Sequence, residues 1–356
     1  MALDSLGNIY TTGFFEGTAD FDPGVGTFNL TPVGSHDSFI LKLNSSGSFV
    51  WAKSIESTGG YNNVWSVVAD AIGNVFLTGT FQGTTDFDPN AGTFNFVSAG
   101  SDDLFISKLD SSGTLVWAKQ IGGSLSEWGA SIIIDPFNDL YISGRFSGAV
   151  DFNPGFGVFG LTSFGGEDIF IAKLDTSGNF IWAKNMGGAF NDGSQSITTD
   201  LAGNVYCTGR FENTADFDPN SGVANITAVG FQDIFILGLD SGGNYLWAKN
   251  IGGTAYNAGN SIALDLLNNI YTTGYFSGTN DFNTDAGVYN LASTTGSYDI
   301  FVHKMNQVPT GIDENNSTNH IVLYPNPSEG QIFLEYNLLD AKDARFMVYD
   351  IAGRIL

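Results

Sequence analysis

The chain lacks the residues that would place it in several familiar classes. A single cysteine, Cys207, in 356 residues excludes an internal disulfide framework and any CxxC metal site. Basic residues are scarce: 13 Lys and Arg stand against 37 Asp and Glu, a net charge of −24. With no basic cluster, the chain has little to offer the phosphate backbone of a nucleic acid. No apolar run approaches the ~18 residues that a membrane-crossing helix requires. The opening Met1-Ala2-Leu3-Asp4-Ser5-Leu6-Gly7 has neither the basic nor the apolar stretch of a secretory leader. Nucleophile elbow, HExxH, P-loop and dinucleotide fingerprints are all missing.

Glycine and aromatic residues are abundant. The 46 glycines and 30 phenylalanines exceed ordinary usage, and aromatics make up 14% of the chain, so an acidic disordered polymer is excluded. The dominant signal is repetition. Trp-Ala-Lys begins at Trp51, Trp117, Trp182 and Trp247, spaced by 66, 65 and 65 residues. Asp-Phe-Asp/Asn begins at Asp20, Asp86, Asp151, Asp216 and Asp281. Asp-x-Phe-(Ile/Val) begins at Asp37, Asp103, Asp168, Asp233 and Asp299, and a turn begins at Asp4, Asp70, Asp135, Asp200 and Asp265.

Each unit reads as four strands, A to D. In the second, Val67–Ala69 leads through Asp70-Ala71-Ile72-Gly73-Asn74 into Val75–Thr78. After a long connection, Leu104–Leu109 leads through Asp110-Ser111-Ser112-Gly113 into Leu115–Lys119. Short apolar and β-branched runs between glycine-bearing turns are the all-β pattern. Gly7, Gly73 and Gly203 in the A–B turn are replaced by Asn138 and Asn268, which predicts a left-handed backbone there. Antiparallel four-stranded sheets stacked around an axis make a β-propeller. With strands running up and down, the B–C and D–A connections share one side, and the sequence places its long, variable stretches there, which marks a functional face.

The run Asp70-x-x-Gly73-Asn74-Val75-Phe76-Leu77-Thr78-Gly79 and its equivalents resemble the bacterial beta-propeller repeat family often called SBBP, over roughly residues 1–305. Beyond it, 306–320 reads as a linker. Tyr324-Pro325-Asn326-Pro327 and Tyr349-Asp350-Ile351-Ala352-Gly353-Arg354 resemble the C-terminal sorting domain of the type IX secretion system. That resemblance implies a small β-sandwich over 321–356, here partial, and export to the cell surface or medium by the type IX machinery. The sequence thus predicts an all-β chain, a β-propeller of four-stranded blades, with units near 1–65, 66–130, 131–195, 196–260 and 261–305. The expectation extends to an interior fragment of a longer reading frame, since the leader, a full first strand A and a final Trp-Ala-Lys strand are missing.

Two features lie on the variable side. The paired carboxylates Asp20/Asp22, Asp86/Asp88 and Asp216/Asp218, with Asp151 and Asp281 beside Asn153 and Asn283, are candidate calcium ligands, because Ca²⁺ takes six to eight oxygens. The competing and favoured reading is an acidic Asx/Pro turn that anchors an inward Phe. Tyr61 (with Trp65 nearby), Trp128, Phe190 and Tyr256, one per D–A connection, are candidate ligand-binding residues for a glycan or a surface protein, against a role as wedges between blades. The Trp of Trp-Ala-Lys reads as packing between units, and Cys207 as a small core residue. More than half of the acids fall at repeated positions, whereas an active site breaks a repeat, so no catalytic activity is expected. The expected function is a secreted or cell-surface binding or adhesion module. The alternatives are a propeller glycosidase or lyase, or a passive structural repeat of a larger surface protein.

Overall fold

The computed structural model describes residues 1–294 and 296–306, and the backbone of two further strands, His320–Tyr324 and Phe333–Asn337. Two compact units divide at Met1–Asn306 and Gln307–Leu356. In the second, the two strands pair antiparallel, with Leu323 opposite Leu334. The rest of the tail, including 325–330 and the motif from Tyr349 to Arg354, lies outside the described residues.

Turn chemistry sets the strand boundaries. Asp70 Oδ1 accepts the N–H of Ile72 at 3.1 Å and of Asn74 at 2.8 Å, and Asp70 Oδ2 accepts Asn74 Nδ2 at 2.7 Å. The chain then reverses through Gly73 at φ 83°, and through Asn138 at 65° and Asn268 at 60° in the units that use asparagine. The C–D turn repeats the device on Asp110, whose Oδ1 accepts from Ser112 and Thr114. Strands A to D of the second unit are Asn62–Ala69, Val75–Phe81, Asp103–Leu109 and Leu115–Ile121, joined as one antiparallel four-stranded sheet. In the fifth unit the sheet has three strands, Ala258–Leu264, Ile270–Ser277 and Tyr298–Met305. No helix occurs among the described residues.

Strand A begins earlier than the repeat markers suggest. It spans Asn62–Ala69, Glu127–Ile134, Gly193–Thr199 and Ala258–Leu264, so unit boundaries near 65, 130, 195 and 260 cut through it. The D–A links are correspondingly short, residues 59–61 between Thr58 and Asn62 for example. Only the B–C connection is long. It folds into a small hairpin, Thr84–Asp86 with Asn95–Val97 in unit two, whose first arm pairs with the end of the preceding strand D, Glu56 opposite Asp86 and Thr58 opposite Thr84. Gly187 opposite Asp216 and Gly252 opposite Asp281 repeat this stitch.

The four core clusters each draw on two consecutive units, so neighbouring sheets bury their faces on one another. Cys207 is fully buried in one of them, and burial pushes its thiol up to about 12. The Trp-Ala-Lys tryptophan also works across the joint: Trp51 Nε1 and Lys42 Nζ both donate to the Ser111 carbonyl in the next unit, at 3.2 and 3.0 Å. Gly113 (φ 81°) lies beneath them, where an added Cβ would stand 3.1 Å from Lys53 Cε and 3.4 Å from Trp51 Cδ2. Gly113→Ala should therefore cost about 1–2 kcal/mol through left-handed strain plus crowding, read as a lower denaturation midpoint.

Candidate functional site

The Asp-Phe-Asp segments close the small B–C hairpins. Asp86 Oδ1 accepts the N–H of Asp88 at 3.0 Å and of Phe94 at 2.7 Å, while Asp88 Oδ1 accepts the N–H of Asn90 at 3.1 Å. Asp20 with Asp22, and Asp216 with Asp218, repeat all three bonds. The first residue, Asp151 or Asp281, does the same where the second is Asn153 or Asn283, whose amide oxygens accept from Gly155 and Asp285. The second position needs an acceptor oxygen rather than a charge, which accounts for the Asp/Asn exchange. The Phe28 and Asp22 N–H groups hold Asp20 below the usual carboxylate range. Among the described residues no three His, Cys, Asp or Glu side chains gather at metal-binding spacing. With one oxygen of each carboxylate already accepting backbone N–H groups, millimolar Ca²⁺ against EDTA should move the melting midpoint by less than about 1 °C, and a rise of several degrees would make the loops metal sites.

The phenylalanine between the acids points inward. Phe87, Phe152 and Phe217 are buried, each edge-to-face on the last aromatic of strand B: Phe81 at 5.3 Å, Phe146 at 5.1 Å and Phe211 at 5.4 Å. Alternation along the short strand sends the ring to the core and the carboxylates to the turn.

The four aromatic candidates do not form one cluster. Tyr61 donates its hydroxyl to Asp102 at 2.6 Å and stacks with His36 at 5.7 Å. Tyr256 stacks on Phe231 at 5.3 Å, and Phe190 and Phe231 line one shallow groove with Glu212. Trp128 lies on strand A, not in a loop, and stacks with Trp65 at 5.1 Å and 23°.

Trp128 belongs to a second groove, of about 390 Å³, lined by Trp65, Trp128, Ala130, Arg145, Gln195 and Arg210. Its construction follows from one repeated backbone irregularity. Strand A slips register against strand B between Val64 and Ser66, Gly129 and Ser131, Ser194 and Ser196, and Gly259 and Ser261. The residue left over is Trp65, Ala130, Gln195 or Asn260, and a bulge re-aims its side chain off the regular pleat. Three consecutive bulge residues thus line the groove. The strand-B position after the repeated glycine (Gly13, Gly79, Gly144, Gly209, Gly274) supplies the other wall: Phe14, Thr80, Arg145, Arg210 and Tyr275 occupy it in turn. The repeat keeps its serine at 66, 131, 196 and 261, while the bulge residue beside it changes from unit to unit.

Arg145 lies directly across from Trp128 in the sheet, with its guanidinium 4.2 Å from the indole ring centre. Its Nε is 3.0 Å from Glu167 Oε2, a close ion pair whose N–H is not aligned as a hydrogen bond. Burial, with the Arg210 charge adding to it against Glu167, lowers the Arg145 pKa. Gly193 makes room, since a Cβ there would stand 3.3 Å from Arg145 Cδ. Among the described residues, Arg210 has no carboxylate within ion-pair distance. Sequence reasoning singled out Trp128 but missed Arg145, Arg210 and Gln195. The available signal was variation at a fixed place in an otherwise constant repeat.

Beneath the groove, a second set went unread although its spacing is 65 throughout: Asn62, Glu127, Asp192 and Asn257, each 0–1% exposed. Each faces the strand-C aspartate, Asp37, Asp103, Asp168 or Asp233. Where the partner is Asn, the N–H of Ser57 or Gly253 donates to that aspartate; where it is an acid, Gly123 or Gly188 donates to Glu127 or Asp192 instead. Glu127 Oε1 and Asp168 Oδ1 are left buried without a hydrogen-bond partner among the described residues. Burial first, then the neighbouring carboxylate charge, pushes Asp168 up to about 7; burial pushes Glu127 up to about 7 and Asp192 to about 6.

Sheets and repeats together define a repeat-containing all-β protein. No family model matches the chain. It is 28% identical over 193 residues, 48% of its length, to an uncharacterized WD repeat-containing protein, L264, of Acanthamoeba polyphaga mimivirus, and covers 14% of that protein. It is 24% identical over 190 residues, 52% of its length, to the regulatory protein FlaEY of Caulobacter vibrioides, and covers 19% of it. The chain therefore spans less than a fifth of either curated relative. A protein of unknown function from Bacteroides caccae aligns with 67% of this chain and 93% of its own, at 11% identity and a TM-score of 0.21.

Proposed function

We propose that residues 1–306 form a β-propeller of the SBBP-repeat kind, acting as a secreted or cell-surface binding module without catalytic activity, and that the groove between Trp65 and Arg210 is its ligand site. The propeller reading is supported by antiparallel meanders that bury their faces on the next unit, and by inner strands in contact: Ile132 N–H donates to Ser66 Oγ, and Ile262 N–H to Ser196 Oγ, each at 3.2 Å. Export through the type IX machinery is supported by the Tyr-Pro-Asn-Pro and Tyr-Asp-x-x-Gly-Arg motifs of the tail. No helix among the described residues is long and apolar enough to cross a membrane.

The observation that carries the binding role is the break in the repeat: variable side chains from three successive units converge at one groove. Binding rather than catalysis is favoured because the proton-exchanging acids nearby, Glu127 and Asp192, are sealed from a substrate at 0% and 1% exposure. A glycan array probed with the parent chain and with Trp128→Ala tests the reading. Loss of the indole on which Trp65 stacks should weaken binding about tenfold or more, with circular dichroism unchanged. Binding that persists undiminished in the folded variant would remove the groove from the function.

A further inference from the structure

The charge of the groove narrows its ligand, on the premise that the groove is the ligand site. Residues 1–306 carry eight lysines and two arginines. Every lysine sits at a repeated position on strand C or D, and the nearest repeat partners of Lys42 and Lys108 are carbonyls of the next C–D turn. Both arginines face the one groove, at the end of the sheets away from those turns. In a chain of net charge −24, two guanidinium groups close enough to influence each other stand beside two stacked indoles. Glu167 answers the charge of Arg145. Arg210 is answered by no carboxylate at ion-pair distance among the described residues, so one positive charge stands open beside Trp65, Trp128 and the Gln195 amide.

We infer that the groove takes a uronic-acid residue of an oligosaccharide. A pyranose offers an apolar C–H face to an indole and hydroxyls to an amide, while its carboxylate matches the planar fork of a guanidinium and can be held by two parallel N–H···O bonds. Trp65, 41% exposed, is the stacking surface, Arg210 holds the carboxylate, and Arg145 is kept in place by Glu167 and Trp128 to fix the wall between them. A neutral sugar would leave the Arg210 charge unanswered. A lone inorganic anion would leave the indoles unused.

Isothermal titration on the full chain tests this with four probes: an oligogalacturonate, an oligoglucuronate, the matching neutral oligosaccharides, and an acidic tryptophan-containing tetrapeptide. At least one uronate should bind about tenfold or more tighter than its neutral counterpart, and Arg210→Gln should erase that difference at an unchanged melting midpoint. Arg210→Lys should recover part of it, since it restores the charge but not the two-pronged fork. Equal affinity for acidic and neutral sugars, abolished by Trp128→Ala, would overturn the uronate assignment while leaving the binding module standing. Peptide binding without sugar binding would overturn it in favour of a protein partner. Silence from all four probes, together with a blank glycan array, would overturn both readings.

Discussion

Replacing Phe152 by alanine is expected to cost about 3–5 kcal/mol, because the ring is lost from a site that cannot collapse around the gap. Phe152 is fully buried, edge-to-face on Phe146 at 5.1 Å and tilted against Phe170 at 5.1 Å. It belongs to the cluster that joins the second and third units, so its removal weakens a joint as well as a hairpin. The same change at Phe21, which is only partly buried in the first unit, should cost markedly less. Urea denaturation of both variants gives the comparison, and hydrogen exchange should place the Phe152 loss at the joint, since stability in a repeat array is shared between neighbours. Equal, small effects at both positions would show that the ring is not anchored by its neighbours.

Asp192→Asn is expected to stabilise the protein above neutral pH by about 1–3 kcal/mol and to flatten its stability profile below it. Both carboxylates crowd Gly187, where an added Cβ would stand 2.6 Å from Asp168 Oδ1 and 3.0 Å from Asp192 Oδ2. Burial raises Asp168 from the ordinary 3.8 to about 7 and Asp192 to about 6. The folded state therefore holds protons that the unfolded chain releases between pH ~4 and ~7, and stability falls as pH rises through that window. The fourth unit already contains the proposed answer. Asn257 Oδ1 accepts the Ser277 N–H at 3.2 Å, as Asp192 Oδ1 accepts that of Glu212 at 3.0 Å, and the Gly253 N–H is then free to serve Asp233. In Asp192→Asn, the Gly188 N–H should likewise turn to the unpartnered Asp168 Oδ1. Melting midpoints from pH 4 to 8 decide the matter, and a variant with the parent's slope would sink the paired-acid account.

The repeat, its turns and the inward phenylalanine were legible because each rests on local chemistry. An aspartate that caps its own turn, or a glycine that must be left-handed, states its role within five residues. The start of strand A was not legible, because Asn62, Glu127, Asp192 and Asn257 share a spacing but not an identity, and their common role is set by a partner on another strand. The groove failed to show for a related reason. A bulge is a relation between two strands, so nothing in Trp65, Ala130 or Gln195 alone announces that all three leave the pleat in the same manner. Trp128 stood out as an aromatic, but placing it in a loop hid its cross-strand partner Arg145.

The hairpin stitch gives the array a direction and a grammar of length. At three joints a sheet hands the end of its strand D to the hairpin that follows, at Glu56 with Asp86, Gly187 with Asp216 and Gly252 with Asp281, and at the fourth a single bridge joins Gly123 and Val150. Donor and acceptor edges are thus alike at different joints, so duplicating or excising one whole repeat rejoins surfaces that already know each other. A cut out of register strands a donor edge with no acceptor. Whole repeats are thus the unit in which such an array can be lengthened or shortened, while the side chains at the bulge sit off the pleat and leave these joints untouched.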